Sequence, residues 1–222
     1  MIPLRDSQPS RSTPVVTFAL IAVNVLVFLY EVSLDPFSAN HLIAAYGIVP
    51  SRLDPLTLVT SMFLHGGWLH LIGNVWFLWI FGDNVEDILG HGKYLLFYLL
   101  CGVLAALLHV LLNPEARVPT IGASGAIAGV MGAYLVKFPR ARIVTLIFIF
   151  VFITTIELPA AVILGYWFVI QLFSGVGSIG YSSATTGGIA WFAHVGGFVA
   201  GAALIHLFRT RAPYRTRREL YW

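Results

Sequence analysis

Charge is what this sequence has least of. Only 10% of its 222 residues are charged, against 58% hydrophobic, and the mean hydropathy is +0.85. Soluble domains carry about 25% charged residues. The chain therefore has too little charge to cover a water-facing surface, and its excess apolar surface is expected to face lipid. Cysteine is nearly absent too. The single Cys101 lies in an apolar run, which excludes a disulfide framework and a Cys-based metal site and reads as a small core residue. There is no H-E-x-x-H, so zinc-protease chemistry of that kind is excluded. Paired midplane charges and an inverted repeat are missing, which argues against a small transporter or channel. The net charge of +3 gathers at the chain ends and in one connection rather than on one face, so no nucleic acid is expected. Neither a metal nor a cofactor is expected.

What is present is a series of long apolar runs. A bilayer core of ~30 Å needs about 20 apolar residues per helix. Candidate spans are 14–33, 67–84, 93–112, 124–138, 158–175 and 190–208, separated by Pro36, Pro50, Pro55, Asp83, Glu86, Asp87, Pro114, Pro119, Pro139 and a Gly/Ser-rich stretch over 174–188. The first run is long and lacks an obvious small-residue cleavage site, so it reads as a retained span rather than a removed signal. The expected organisation is a cytoplasmic tail over 1–13, one membrane domain over 14–208 and a basic cytoplasmic tail over 209–222. With six spans, Arg5, Arg11, Lys93, Lys137, Arg140, Arg142 and Arg209 to Arg218 all fall on one side. The positive-inside rule makes that side cytoplasmic, in the plasma (inner) membrane. Residues 141–157 are apolar enough for a seventh helix, but they are β-branched and aromatic, which favours extended structure. An interfacial or hairpin-like connection is expected there. The fold class is thus an all-α polytopic membrane protein, a six-helix bundle.

Against this background a few polar residues stand out. A polar or ionisable group at membrane depth is costly and by default marks a functional site with a partner. Ser124 sits in Gly122-Ala123-Ser124-Gly125, and His194 in Ala193-His194-Val195-Gly196-Gly197. His65, His70 and Asn74 lie at the start of the second span. With the N-terminus inside, spans 2, 4 and 6 all run from outside to inside. His70, Asn74, Ser124 and His194 then share one depth near the outer face. His70 and Asn74 are four apart and share a helix face. Gly125 with Gly129, and Gly197 with Gly201, form G-x-x-x-G stripes that let helix backbones approach closely. Packing of spans 4 and 6 would bring the Ser124 hydroxyl to the His194 imidazole, the arrangement that activates a nucleophile. Asp83, Glu86 and Asp87 lie at the opposite end of span 2, so a Ser–His dyad is expected rather than a triad. Span 4 is short, at ~22 Å, and partly re-entrant. Ser124 should lie below the surface, with 118–123 as non-helical backbone lining a water-filled cavity.

Other polar and aromatic residues have blander readings. Asn24 ties helices together. His41, His91, His109 and His206 lie near span ends, where interfacial solvation suffices. Met131, Trp76, Trp79, Trp167 and Phe168 read as lipid-facing or core fill.

The three elements His70-x-x-x-Asn74, Gly122-Ala123-Ser124-Gly125 and Ala193-His194-x-x-Gly197-x-x-x-Gly201 resemble the rhomboid family of intramembrane serine proteases, in its basic six-helix prokaryotic form. The resemblance covers roughly 14–208. It implies Ser124 as nucleophile, His194 as general base and then acid, and His70, Asn74 and the Ser124 N–H as oxyanion donors. Gly122 would shape the adjoining loop, His65 would support the first loop, and Glu86 would be structural. Span 5 and the loop 174–188 resemble the family's gate and cap. The partners implied are the lipid bilayer and transmembrane protein substrates, cut near their extracytoplasmic boundary. Two positions depart from the family pattern. The Trp-Arg pair of the first loop is Leu56-Thr57, and the aromatic one turn after the serine is Ala128. His194 is then held less firmly, or by an aromatic from another helix. The competing reading is a catalytically weak or inactive rhomboid-like protein that binds membrane helices. Such a protein would be expected to lose Ser or His.

Overall fold

A computed structural model describes residues 1–149, 152–178 and 190–212, and these are mostly helical. Helix α1 (Val15–Ser33) follows Pro14, which offers no side-chain cap. The first N–H groups of a helix have no internal partner and carry partial positive charge. Glu86 meets that need from another helix, accepting from the N–H groups of Val16 and Thr17 at 2.9 and 2.8 Å and from Thr17 Oγ1 at 2.7 Å. The first connection carries α2 (Pro36–Tyr46), started by Asp35 as N-cap with Pro36 in the first turn, and the short α3 (Thr57–Thr60).

Helix α4 (Trp68–Leu89) is bounded by glycines and stops at Gly90, whose φ is +77°. It runs five residues beyond the expected end at 84, so Asp83, Glu86 and Asp87 lie inside a helix and not in a break. The physical reason is pairing. Glu86 caps α1 and also contacts His91 Nδ1 at 2.6 Å, while Asp87 accepts from the N–H and hydroxyl of Ser12. Buried carboxylates with such partners do not have to leave the core. Helices α5 (His91–Leu112), α6 (Ser124–Lys137), α7 (Ala160–Ser178) and α8 (Trp191–Leu204) complete the helical set.

The all-α expectation needs correction, because a three-stranded antiparallel sheet is present. Strand β1 (Ile2–Asp6) pairs with β2 (Arg142–Ile149), which pairs with β3 (Phe152–Pro159) in the register Ile143↔Leu158 and Thr145↔Ile156. The described parts of the β-branched run, 142–149 and 152–157, are thus extended and paired, which removes the seventh-helix reading. The 1–13 segment is likewise not a loose tail. Besides β1, it is held to α4 by Trp76 Nε1 donating to the Pro3 carbonyl at 2.6 Å and by Asn84 Nδ2 donating to the Gln8 carbonyl at 2.9 Å.

Helices α6 and α8 cross with almost no side chain between them. A Cβ on Gly197 would fall on the Gly125 carbonyl oxygen, and one on Gly201 on that of Gly129. Both glycine stripes therefore face one another. Aromatic residues fill the space beside them, with Phe81, Tyr94, Phe97, Tyr98 and Tyr134 fully buried together with Cys101. Outward positions are apolar as well: Leu26, Leu69, Phe173 and Leu207 are exposed. Helices α1 and α5 are long and apolar enough to cross a membrane, and α6, α8 and the 160–176 part of α7 are apolar but shorter. At one end of the bundle Arg211 N–H donates to the Ile88 carbonyl, and Lys93 and Lys137 reach Arg209 and Thr210. The sheet and the start of α1 lie at that same end of α4. The starts of α4, α6 and α8 lie at the other. Residues 179–188 of the expected cap, and Arg215, Arg217 and Arg218, fall outside the described residues.

Candidate active site

Ser124 is the first residue of α6, where backbone N–H groups have no helical partner. The preceding backbone is non-helical and pinned on both sides. Ile48 and Thr120 exchange N–H···O bonds of 2.9 and 2.8 Å, and Gly122 N–H donates to the Ser61 carbonyl at 2.9 Å. Gly122 has φ +122°, a conformation open to glycine and rarely to other residues. A side chain there would also meet the His70 imidazole at 2.7 Å. The loop thus needs glycine twice over, for its backbone angle and for room beside His70.

Close contact of α6 with α8 brings Ser124 Oγ within 2.8 Å of His194 Nε2. These two residues lie 70 positions apart in sequence, and both are half-buried. The glycine stripes make the distance possible, since any larger residue at 197 would wedge the helices apart. His70 lies across the loop. Its Nδ1 accepts the Gly66 N–H at 3.3 Å. With Nδ1 as acceptor, a neutral ring carries its proton on Nε2, an atom on the side of the ring next to Gly122. Asn74, buried one turn further along α4, donates from Nδ2 to the His70 carbonyl at 3.0 Å. An amide has two N–H donors, so one is left to point elsewhere.

His65 lies before α4 and is buried, with its ring edge-on to Phe28 and His70. Burial, and then the nearby His70, push its pKa down to about 4. Its backbone N–H donates to both carboxylate oxygens of Glu31 at 3.2 Å, tying the first connection to α1. Where the Trp-Arg pair was expected, Thr57 Oγ1 instead donates to the Asp54 carbonyl at 2.6 Å, and Thr60 Oγ1 to that of Tyr46 at 2.8 Å.

Three residues of this region were not read from the sequence as site residues. His109 is not solvated at an interface. Its Nε2 lies 3.0 Å from Thr120 Oγ1, and it lines a cavity of about 30 Å³ with Ser61, Met62, Gly122 and Ser124. That volume exceeds the ~10–15 Å³ one water needs. Trp167 of α7 is not merely core or lipid-facing fill; its ring lies 5.9 Å from that of His194 at 35°. An aromatic from another helix thus stands where Ala128 offers none. Gln171, also on α7, contacts His194 Nδ1 through Oε1 at 2.7 Å. The sequence did carry a signal for it, as the one amide in the apolar run 160–173.

A helical bundle with apolar outer faces that holds a serine hydroxyl against an imidazole defines a class: a membrane-embedded protein with a hydrolase-like Ser–His pair. Comparison with known proteins supplies the family. A rhomboid domain model matches residues 52–211, and the chain belongs to the rhomboid family, whose members are embedded in membranes. It is 32% identical over 196 residues to Rhomboid protease GluP of Bacillus subtilis, covering 86% of this chain and 35% of that protein. It is 29% identical over 137 residues to Rhomboid protein 1, mitochondrial, of Saccharomyces cerevisiae, covering 59% and 39%. Over 128 residues it is 31% identical to the human presenilin-associated rhomboid-like protein, mitochondrial, covering 56% and 33%. The chain spans about a third of the length of these curated relatives.

Proposed function

We propose that the protein is an intramembrane serine endopeptidase that cleaves transmembrane proteins near their extracytoplasmic boundary. The observation that carries this reading is the 2.8 Å contact between Ser124 Oγ and His194 Nε2, next to the His70 ring. Six helices, α1 and α4 to α8, span the bilayer as a domain over 14–208, with the sheet end cytoplasmic and the site near the opposite face, in the plasma membrane.

In the first step Ser124 Oγ attacks the scissile carbonyl carbon as its proton passes to His194 Nε2. The carbonyl oxygen becomes an oxyanion held by His70 Nε2–H, Asn74 Nδ2–H and the Ser124 N–H. The intermediate collapses as His194 returns the proton to the leaving amine, which leaves an ester on Ser124. Water from the cavity beside His109 and Thr120 then attacks the ester carbon as His194 takes its proton, and collapse breaks the bond to Ser124 Oγ, which regains the proton from His194 as the new carboxyl end leaves. Gly122, Gly125, Gly197 and Gly201 shape the loop and the helix crossing, and His65 holds the first connection in place. An inactive helix-binding protein is disfavoured because the dyad is intact.

The test is chemical labelling. An active-site fluorophosphonate should modify the wild-type protein at Ser124, and Ser124→Ala should abolish it. A wild-type protein that is folded yet unlabelled would remove the proposal.

A further inference from the structure

We infer that Gln171, on α7, is a positioning residue that fixes the tautomer and orientation of His194. The inference rests on the protease reading above. A Ser–His pair works only if the imidazole presents an unprotonated Nε2 to the hydroxyl. A neutral imidazole has two tautomers, and the other one carries its proton on Nε2. That form donates to Ser124 Oγ and cannot take its proton. In a serine triad a carboxylate on Nδ1 makes the choice. Here the atom on Nδ1 is Gln171 Oε1, at 2.7 Å. An amide oxygen can only accept, so the proton is on Nδ1 and the lone pair of Nε2 faces Ser124 Oγ at 2.8 Å. The two bonds agree with each other: one partner of the ring is an acceptor, and the other is a hydroxyl able to donate.

Three further observations support a dedicated clamp. Gln171 is 6% exposed, and an amide is buried at that level only when it is hydrogen-bonded. Trp167 lies one helical turn earlier on the same face of α7 and packs against the His194 ring at 5.9 Å, tilted by 35°, while Trp191 meets it edge-on at 6.2 Å. The ring is therefore held by two aromatic neighbours and by the bond at Nδ1 together. Finally, Gly175, another turn along the same stripe, leaves room for α8: a Cβ there would meet Trp191 and Phe192 at 3.3 Å. Positions 167, 171 and 175 form one face of α7 fitted to the start of α8.

The clamp separates cleanly from simple packing in the full-length protein. Gln171→Leu keeps volume and apolar packing but loses the acceptor, and it should slow fluorophosphonate modification of Ser124 by about 10–100-fold, short of the ~10²–10⁴ for loss of general-base catalysis. Gln171→Glu restores an acceptor at the same reach and should label within a few-fold of wild type. A packing role predicts the reverse order, with Leu benign and Glu harmful. The second readout needs no activity: ¹⁵N spectra of histidine-labelled protein, with His194 assigned by substitution, should show Nδ1 protonated in wild type and a tautomer mixture in Gln171→Leu. Wild-type labelling rates in Gln171→Leu, or an unchanged tautomer, would overturn the clamp. Absent labelling in wild type with the tautomer change intact would overturn the protease reading and leave the clamp standing.

Discussion

Replacing Gly197 by alanine tests how the site is assembled. The added Cβ would land on the Gly125 carbonyl oxygen, and backbone cannot rotate out of its way. From an approach of 2.0 Å, helices α6 and α8 must separate by more than about 1 Å to restore ordinary contact. Overpacking of this kind costs about 1–3 kcal/mol, and removing a helical glycine returns roughly 0.5–1 kcal/mol. A net loss of up to about 2.5 kcal/mol, centred near 1, follows from those two. The chemical effect should be larger. Gly125 adjoins Ser124, and Gly197 lies one turn from His194, so the same displacement stretches the 2.8 Å contact beyond hydrogen-bonding range. A misplacement of about 1 Å can cost ~10²-fold in rate. Thermal melting in detergent and cleavage of a reconstituted single-span substrate read the two effects separately. Gly201→Ala meets the Gly129 carbonyl in the same way but two turns from His194, so its stability loss should match while its rate loss is smaller. Gly165→Ala on α7 is the control: nothing lies within 4 Å of its Cβ, and it should be neutral or stabilising by up to ~1 kcal/mol. Unchanged melting and rate in Gly197→Ala would refute the close-packing argument.

Three further expectations follow from other parts of the molecule. Asn74→Ala should lower single-turnover cleavage by about 10²–10³ if its free N–H serves the oxyanion, with little change in melting; a normal rate with a lowered melting point would leave it a structural residue. Burial raises the Asp6 carboxyl to about 6 despite its bond from Tyr134 Oη. The folded state then holds more protons than the unfolded one between pH ~4 and 6, and this contribution is lost as pH rises through the folded value. Asp6→Asn should therefore gain melting temperature relative to wild type between pH 4 and 7, and a constant difference would contradict that. An alkaline phosphatase fused after Trp222 should be inactive in bacteria under the proposed topology, which puts the sheet end of the bundle in the cytoplasm; an active fusion would invert that topology.

Much of the proposed site was legible in the sequence because polar residues in apolar runs are costly and conspicuous. Ser124, His194, His70 and Asn74 each interrupted a span start, and the glycine stripes predicted how two of those spans would meet. Gln171 was equally conspicuous in principle, but its partner lies on another helix 23 residues away and no spacing rule connects them. Trp167 was ambiguous for a different reason: an aromatic in an apolar helix is usually fill, and only the packing of α7 on α8 sets it on His194. Helix ends were misread where charge suggested a break. Asp83, Glu86 and Asp87 stay helical because partners from the 12–17 segment and His91 satisfy Glu86 and Asp87. Strand β1 left almost no sequence signal, since a short segment pairs with β2 through backbone atoms that any sequence supplies.

The central claim is that Ser124 and His194 act as one catalytic unit on membrane-embedded substrates. Its most direct test is cleavage of a single-span protein in liposomes by wild type, Ser124→Ala, His194→Ala and the double variant, each checked for folding by melting. Wild type should cut the substrate near its extracytoplasmic boundary. Both single variants should be inactive, and the double variant no worse than either, because residues that work as a unit are not additive. Full cleavage by Ser124→Ala would contradict the claim.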